Sequence, residues 1–390
     1  MDSSGNKKRI DTFLIFLIIA LVAISSFTLY TLQPNLPARL TNINFYFQQI
    51  VWFLLGAFGV ALIMILDFDR YRKLAWPLYI IGVGMLAGLF VWGSTSLGAT
   101  RWYHLPFGSI QPSEFMKVFL VITLAHVITS HNEKWAHKDL KYDLVLLSKI
   151  LALTIPPLVL IAMQPDLGSS LVILSITGFL ILISGIRWRV IFTILGITAA
   201  ISLAVSMVYL LYTDRFVEFM MDTPFRHAIY RIQAWQNPHL YQDGSAMQVL
   251  NSMKGIGSGQ LFGKGVGEYE VYIPERHTDM IFTAIAEQFG FIGASVVIIL
   301  YFLVIYRIIQ IALECRDPFG TYLSVGIVGM FSYQIFQNIG MSIQLLPLTG
   351  LPLPFLSYGG TSLLVYMAAI GLILNVHSRK KTYMFETDDD

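Results

Sequence analysis

The chain has a single cysteine among 390 residues, and only 13% of its residues are charged. One thiol, Cys315, excludes a disulfide framework within the chain and any CxxC site. So little charge excludes a chain that covers itself in water, because a soluble domain carries about 25%. The net charge of +2 is too small to point to nucleic acid. Eight histidines are scattered without metal-ligand spacing. Low-complexity segments are lacking, and the only polar tail is the short run Thr387–Asp390. No small-residue cleavage site follows the first apolar run, which therefore reads as a retained helix rather than a signal peptide.

What is abundant is apolar: 55% of the residues are hydrophobic. A membrane span needs about 20 mostly apolar residues. Ten stretches meet or approach that length, at 10–32, 46–66, 73–93, 112–131, 145–163, 169–186, 190–212, 280–306, 319–343 and 361–377. The expected architecture is an all-α integral membrane protein of ten transmembrane helices, a single polytopic domain over 1–390. With Lys7, Lys8 and Arg9 placed inside, the cytoplasmic connections hold Arg70, Arg72, Lys73, Lys134, Lys138, Lys141, Arg187, Arg189, Arg307 and Arg316, and the C-terminal segment holds Arg379, Lys380 and Lys381. The short outer loops hold only Arg39 and Arg101. This bias puts both termini in the cytoplasm. The connection 213–279, whose length exempts it from the rule, becomes a large extracellular loop.

The unusual segments then gather on the outer side. In the loop 94–111, Gly98, Arg101, Trp102, Tyr103 and His104 precede Pro112, which suits the first position of a helix. Glu114 and Lys117 follow at i and i+3 and can pair. Two readings stand for them: an interfacial pair whose lysine snorkels, or groups lining a polar cavity. Pro156 and Pro157 predict a kink in the fifth span. Asp166, in a tight turn, is either a helix N-cap or a site residue. The stretch 216–235 mixes apolar and cationic residues as an interfacial helix does. Residues 245–254 predict a helix with Ala246, Met247, Val249, Leu250 and Met253 on one face and Gly255 as its C-terminal stop.

The glycines from Gly255 to Gly267 do not form a P-loop, because Lys264 is followed by Gly265 rather than Ser or Thr. They form either a hinge or a backbone cradle for an anion such as pyrophosphate. Asp279 directly precedes an apolar run and suits an N-cap. Glu287 lies inside that run and must be paired, protonated or wet; Arg231, Lys117 and Arg101 are the candidate partners. The prolines and glycines of 346–362 predict a rigid re-entrant turn, and Ser357 or Thr361 can cap the last helix.

GATRWYHLPFGSIQPSEFMK at 98–117, QPDLGSS at 164–170, GIGSGQLFGKG at 255–265, PERHTDMIFTAIAEQFGFIG at 274–293 and QNIGMSIQLLPLTGLPLPFLSYGGTS at 337–362 occur in this order along the chain. Together they resemble the SEDS family (shape, elongation, division and sporulation), whose members polymerise peptidoglycan glycan strands. The last segment resembles the rod-elongation member more than the division member. Where the family often has two acidic residues in succession, this chain has Glu287 followed by Gln288. The resemblance implies that Asp279 is the family's essential aspartate. It also implies that Arg101, Trp102, Glu114, Lys117, Asp166 and Ser357–Gly360 are signature positions. The implied substrate is lipid II, a disaccharide-pentapeptide on undecaprenyl pyrophosphate. The implied partner is a class B penicillin-binding protein, a transpeptidase, and the implied location is the bacterial cytoplasmic membrane.

On this basis Asp279 is expected to act as general base in an inverting glycosyl transfer. Arg101, Lys117, Arg231, Lys264 and the glycine-rich backbone are expected to receive the departing pyrophosphate, and Trp102, Glu114, Asp166, Glu287 and Ser357 to complete the substrate site. A divalent cation (Mg2+ or Mn2+) is a possible cofactor with no evident ligand set. Competing readings are a lipid II flippase or transporter, since intramembrane charge suits transport too, and a non-catalytic scaffold of a wall-synthesis complex.

Overall fold

The computed structural model describes residues 10–37, 40, 42–96, 99–105, 108–135, 139–223, 226–239 and 244–379. Lys7, Lys8, Arg9, Arg39, Gly98, Lys138, Lys380 and Lys381 lie outside the described residues. The chain runs α1 (Thr12–Leu32), α2 (Phe45–Ile65), α3 (Phe68–Trp92), then β1 (Ser94–Ser96), β2 (Ala99–Leu105) and β3 (Gly108–Ile110). It continues as α4 (Pro112–Lys134), α5 (Leu140–Met163), α6 (Leu167–Ile183), α7 (Trp188–Leu211), α8 (Thr213–Met221), α9 (Arg226–Gln236) and α10 (Ser245–Ser258). It ends with α11 (Ile281–Glu314), α12 (Pro318–Ser342) and α13 (Gly360–Ser378).

Among the described residues, nine helices are long and apolar enough to cross a membrane, and α6 is a shorter apolar helix. At 1.5 Å per residue α6 spans about 26 Å, a little under a hydrocarbon core of about 30 Å. These ten correspond to the ten apolar stretches of the sequence. Burial separates core helices from lipid-facing ones. The apolar windows of α4 and α13 are each 78% buried and that of α12 is 67%, against 6% for α7. The core helices carry several buried polar side chains, among them Glu114, Lys117, Gln334, Asn338 and Asn375.

The stretch 94–110 is a three-stranded antiparallel sheet in the order β1-β2-β3, not a plain loop. Trp102 faces Ser94 and Tyr103 faces Ile110 across it. It is tied to the bundle by Tyr103, whose hydroxyl donates to the Met85 carbonyl (2.8 Å), and by Thr361, which donates to the Ser109 carbonyl (2.7 Å). The long connection after α7 folds into helices, as its apolar and cationic mixture predicts. It forms two of them, α8 and α9, where the sequence suggested one over 216–235. α10 runs past Gly255 to Ser258, with Gly259 as its cap, so Gly255 is no stop. It is buried through Ala246, Val249, Ser252 and Gly255, while Met247 and Met253 point outward. The small residues face inward because α10 lies tight against α11.

α11 is broken. Gly290 has φ +65° and ψ −159°, which no residue inside a helix adopts. The break frees carbonyls before it and N–H groups after it. The glycine-rich stretch satisfies them. Lys264 N donates to the Glu287 carbonyl (3.0 Å) and Gly265 N to that of Gln288 (3.2 Å). In return, Phe291 N donates to Gln260 O (2.8 Å) and Ile292 N to Leu261 O (3.2 Å). This contact is backbone on backbone, so side chains are excluded from it. A Cβ on Gly263 would sit 2.1 Å from the Gln288 carbonyl oxygen. Gly263→Ala, also strained by φ +81°, is expected to cost about 2 kcal/mol or more. Gly257→Ala, which meets no atom within 4 Å, is expected to be neutral or to gain up to about 1 kcal/mol. Thermal midpoints of the two variants in one detergent check the contrast.

Candidate functional site

The connections at one end of the bundle converge on Asp279. It sits in the turn just before α11, half-buried. It is not the N-cap that its position suggests. α11 starts behind Met280 without a side-chain cap, so the Asp279 carboxylate is free of that duty. The backbone around it is held instead. Asn338 on α12 donates through Nδ2 to the Asp279 carbonyl (2.7 Å) and to the Leu351 carbonyl (2.7 Å). Tyr358 N donates to the His277 carbonyl (3.0 Å). The carboxylate accepts from the Thr278 hydroxyl (3.2 Å) and faces Gly350, where a Cβ would lie 3.5 Å from Oδ2. Burial pushes the Asp279 pKa up to about 6; its own backbone N–H, the Thr278 hydroxyl and the Arg231 charge oppose the rise, while Glu275 adds to it.

The charge of Arg231 acts on this carboxylate. Arg231 on α9 donates to the Thr349 carbonyl (3.2 Å), beside Gly350. Burial and the charge of Arg101 lower its pKa, while Asp166 and Asp279 raise it, so these four groups share one electrostatic neighbourhood. Arg101 on β2 donates to the carbonyls of Gln164 (3.1 Å) and Pro165, and lies 3.9 Å from Asp166. Asp166 caps α6, as expected, accepting from Ser169 N (3.2 Å) and Ser169 Oγ (2.9 Å). It also accepts from Gln111 Nε2 (3.2 Å), which joins the start of α4 to the same region. His227 lies among the arginines. Partial burial and the charges of Arg226, Arg231 and Arg101 lower its pKa. Asn338 and His227 were not singled out from sequence, because nothing local marks them; only folding brings α12 and α9 to residue 279.

The other expected site residues fall elsewhere. Glu114 and Lys117 pair as predicted, at 2.7 Å, with side chains 2% and 0% exposed. That burial leaves no room for snorkelling to an interface. The Lys117 ammonium lies 6.0 Å from the centre of the Tyr366 ring, inside the core. Trp102 is half-buried on β2, and its carbonyl accepts from Ser94 Oγ (2.9 Å). Ser357 is buried within the loop before α13, where its Oγ accepts from Leu353 N (2.8 Å). Neither Ser357 nor Thr361 caps α13, whose N-cap Gly359 supplies no side chain.

Glu287 is paired, but not with Arg231, Lys117 or Arg101. Its partners are Arg276 Nη2 (2.7 Å) and Lys264 Nζ (3.4 Å). Both come from the loop between α10 and α11, whose path the sequence does not show. The glycine-rich backbone is likewise engaged: the Lys264 and Gly265 N–H groups are bonded to α11 rather than open to an anion.

A protein-held divalent cation requires several oxygen ligands. Among the described residues no group of three or more His, Cys, Asp or Glu side chains could hold one. Asp166 and Asp279 already have Arg101 and Arg231 as counter-charges. The side chains of the described residues do not by themselves make a cation site.

Residues 10–382 match the family described as cell cycle protein, FtsW, RodA and SpoVE. A relative from Trichlorobacter lovleyi, named "Probable peptidoglycan glycosyltransferase FtsW", is 32% identical over 95% of this chain and 94% of its own. A solved structure described as "Structural coordination of polymerization and crosslinking by a peptidoglycan synthase complex" superposes with TM-score 0.75 at 27% identity, covering 94% of this chain and 97% of that one. The rod shape determining protein RodA of Thermus thermophilus superposes with TM-score 0.68 at 28% identity, over 96% of this chain and 98% of its own.

Lys117→Met leaves Glu114 buried without a counter-charge and is expected to cost about 3–5 kcal/mol. The double variant Glu114→Gln/Lys117→Met removes both charges and is expected to cost clearly less. Thermal unfolding of both in detergent checks this.

Proposed function

The chain belongs to the FtsW, RodA and SpoVE family of cell cycle proteins, and we propose that it is a multi-pass peptidoglycan glycosyltransferase of the bacterial cytoplasmic membrane. In this reading it polymerises lipid II on the outer face, and Asp279 is the general base. The observation that carries the assignment is the Asp279 turn itself. A carboxylate released from capping, held by its backbone and raised to about 6, lies in the field of Arg231, which in turn feels Arg101 and Asp166.

The chemistry follows from that arrangement. An acceptor sugar hydroxyl attacks the anomeric carbon of the donor. Its proton passes to the Asp279 carboxylate as the new C–O bond forms and the bond to pyrophosphate breaks with inversion. General-base help of this kind is worth about 10²–10⁴-fold. The lipid pyrophosphate leaves with developing negative charge, which Arg231 and Arg101 are placed to stabilise. Neither guanidinium needs a proton transfer to do so, because arginine stays cationic. The glycine-rich backbone and Lys264 drop out of this role, being bonded to α11 and Glu287. The outward orientation of this end rests on the lysine and arginine bias of the opposite loops.

The crosslinking partner is read as a class B transpeptidase, supported by the likeness to a structure described as a synthase complex. The elongation branch rests on the 346–362 segment alone. The names of the relatives do not favour RodA over FtsW, and complementation of elongation-depleted against division-depleted cells decides between them.

Asp279→Asn is expected to fold normally and to lose polymerisation of purified lipid II by at least about 10²-fold; an active variant would overturn the assignment. The base must be ionised to act. The raised pKa therefore predicts that kcat/KM holds above pH 7 and falls as the pH drops through about 6. A pH profile of lipid II polymerisation, with an acid limb near an ordinary carboxylate value instead, would contradict the desolvation that raises the Asp279 pKa.

A further inference from the structure

The mechanism makes no use of the most heavily bonded carboxylate in the region. Glu287 is fully buried in the first turns of α11. Its Oε1 accepts from Glu270 N (2.9 Å), Val271 N (3.3 Å) and Lys264 Nζ (3.4 Å), and its Oε2 from Arg276 Nη2 (2.7 Å). Every one of these donors lies in the loop 264–276, the stretch leading to Asp279. One side chain thus gathers a loop that otherwise lacks regular structure.

Charge within the cluster is balanced. Lys264 also pairs with Glu270 (2.5 Å), and Arg276, only 5% exposed, stacks 4.9 Å over the Tyr269 ring and donates to the Val271 carbonyl (2.5 Å). Against this loop lies a cavity of about 160 Å3, lined by Leu32, Leu36, Tyr269, Val271, Ile273 and Arg276. Space is therefore available for the loop to leave α11 when its anchor is removed. Arg276 is three residues from Asp279, and α11 begins two residues after it. The Arg276–Glu287 pair closes a ring of chain around the base.

We propose that Glu287 is a positioning residue for glycosyl transfer: its carboxylate clamps the 264–276 loop to α11 through Arg276 and Lys264 and so sets where Asp279 stands. Glu287 does not touch substrate. This rests on the reading of Asp279 as the base. A misplacement of about 1 Å at a reacting group can cost about 10²-fold in rate, so a clamp of this kind acts on turnover. Substrate affinity, set by other groups, is left largely alone.

The test is steady-state polymerisation of lipid II in detergent by the full chain, over a range of pH, for the wild type, Glu287→Gln, Glu287→Asp and Asp279→Asn. Glu287→Gln is expected to lower kcat about 10²-fold with KM unchanged within about twofold. Its acid limb is expected to move below 6, toward an ordinary carboxylate, as Asp279 is rehydrated. Glu287→Asp, which keeps the charge on a shorter stem, is expected to recover part of the rate. If Glu287→Gln does not fold, Arg276→Gln/Glu287→Gln removes both buried charges and is read the same way. A raised KM at unchanged kcat would make Glu287 a substrate contact and sink the proposal, as would a wild-type rate and pH profile. Loss of activity in Asp279→Asn alongside a normal Glu287→Gln defeats the clamp alone. Full activity in Asp279→Asn defeats the base assignment on which it stands.

Discussion

Lipid offers no hydrogen bonds, so a helix that breaks inside a membrane protein must have its freed peptide groups satisfied by protein. That constraint organises the working end of this chain. α11 breaks at Gly290, and the stretch Gln260–Gly265 lies backbone to backbone across the break. Glycine is required at Gly263 and Gly290 because a Cβ at either would sit within 2.4 Å of the opposing chain. The glycine pattern that suggests a phosphate loop is the surface of a helix splice. Once that splice is made, the rest of the connection must leave α11 and return to it, and it returns carrying Asp279.

Two charge clusters result, and they differ in kind. The Glu287, Arg276, Lys264 and Glu270 group is balanced and internally bonded, with Glu287 saturated by four donors. Saturated ions of this sort hold structure. The Asp279, Arg231, Arg101 and Asp166 group is looser. Arg101 is 3.9 Å from Asp166, and Arg231 spends a bond on a carbonyl while acting on Asp279 through the field. A carboxylate lifted toward 6 and cations not locked into tight pairs are what a reaction that moves a proton and releases a diphosphate requires. The Glu114–Lys117 pair is a third case, buried in α4 at the centre of the bundle as an ion pair, with Glu114 Oε2 left without a hydrogen-bond partner.

Much of the fold is legible without coordinates. Among the described residues, nine of the ten apolar runs form helices long enough to span and the tenth a shorter apolar helix, because span length is a property of local composition. The i, i+3 pair on α4 and the Asp166 cap on α6 were equally legible, because both partners lie within one turn. The cap assigned to Asp279 failed for a local reason. The preceding residues turn through Glu275 at φ +52°, Met280 takes the cap position, and the carboxylate is left over. The stop expected at Gly255 failed for a tertiary reason, since close packing of α10 on α11 outweighs the weak helix propensity of glycine.

Composition and periodicity by themselves determined that this is a helical membrane chain with its irregular, charged segments collected between particular spans, since burial in lipid is decided residue by residue over short windows. Only the tertiary structure decided which charges meet. Glu287 finds Arg276 rather than Arg231, and Asn338 finds the Asp279 carbonyl across 59 positions of sequence. Pairing between distant segments depends on how helices and loops pack in three dimensions, and no local pattern of residues encodes that path.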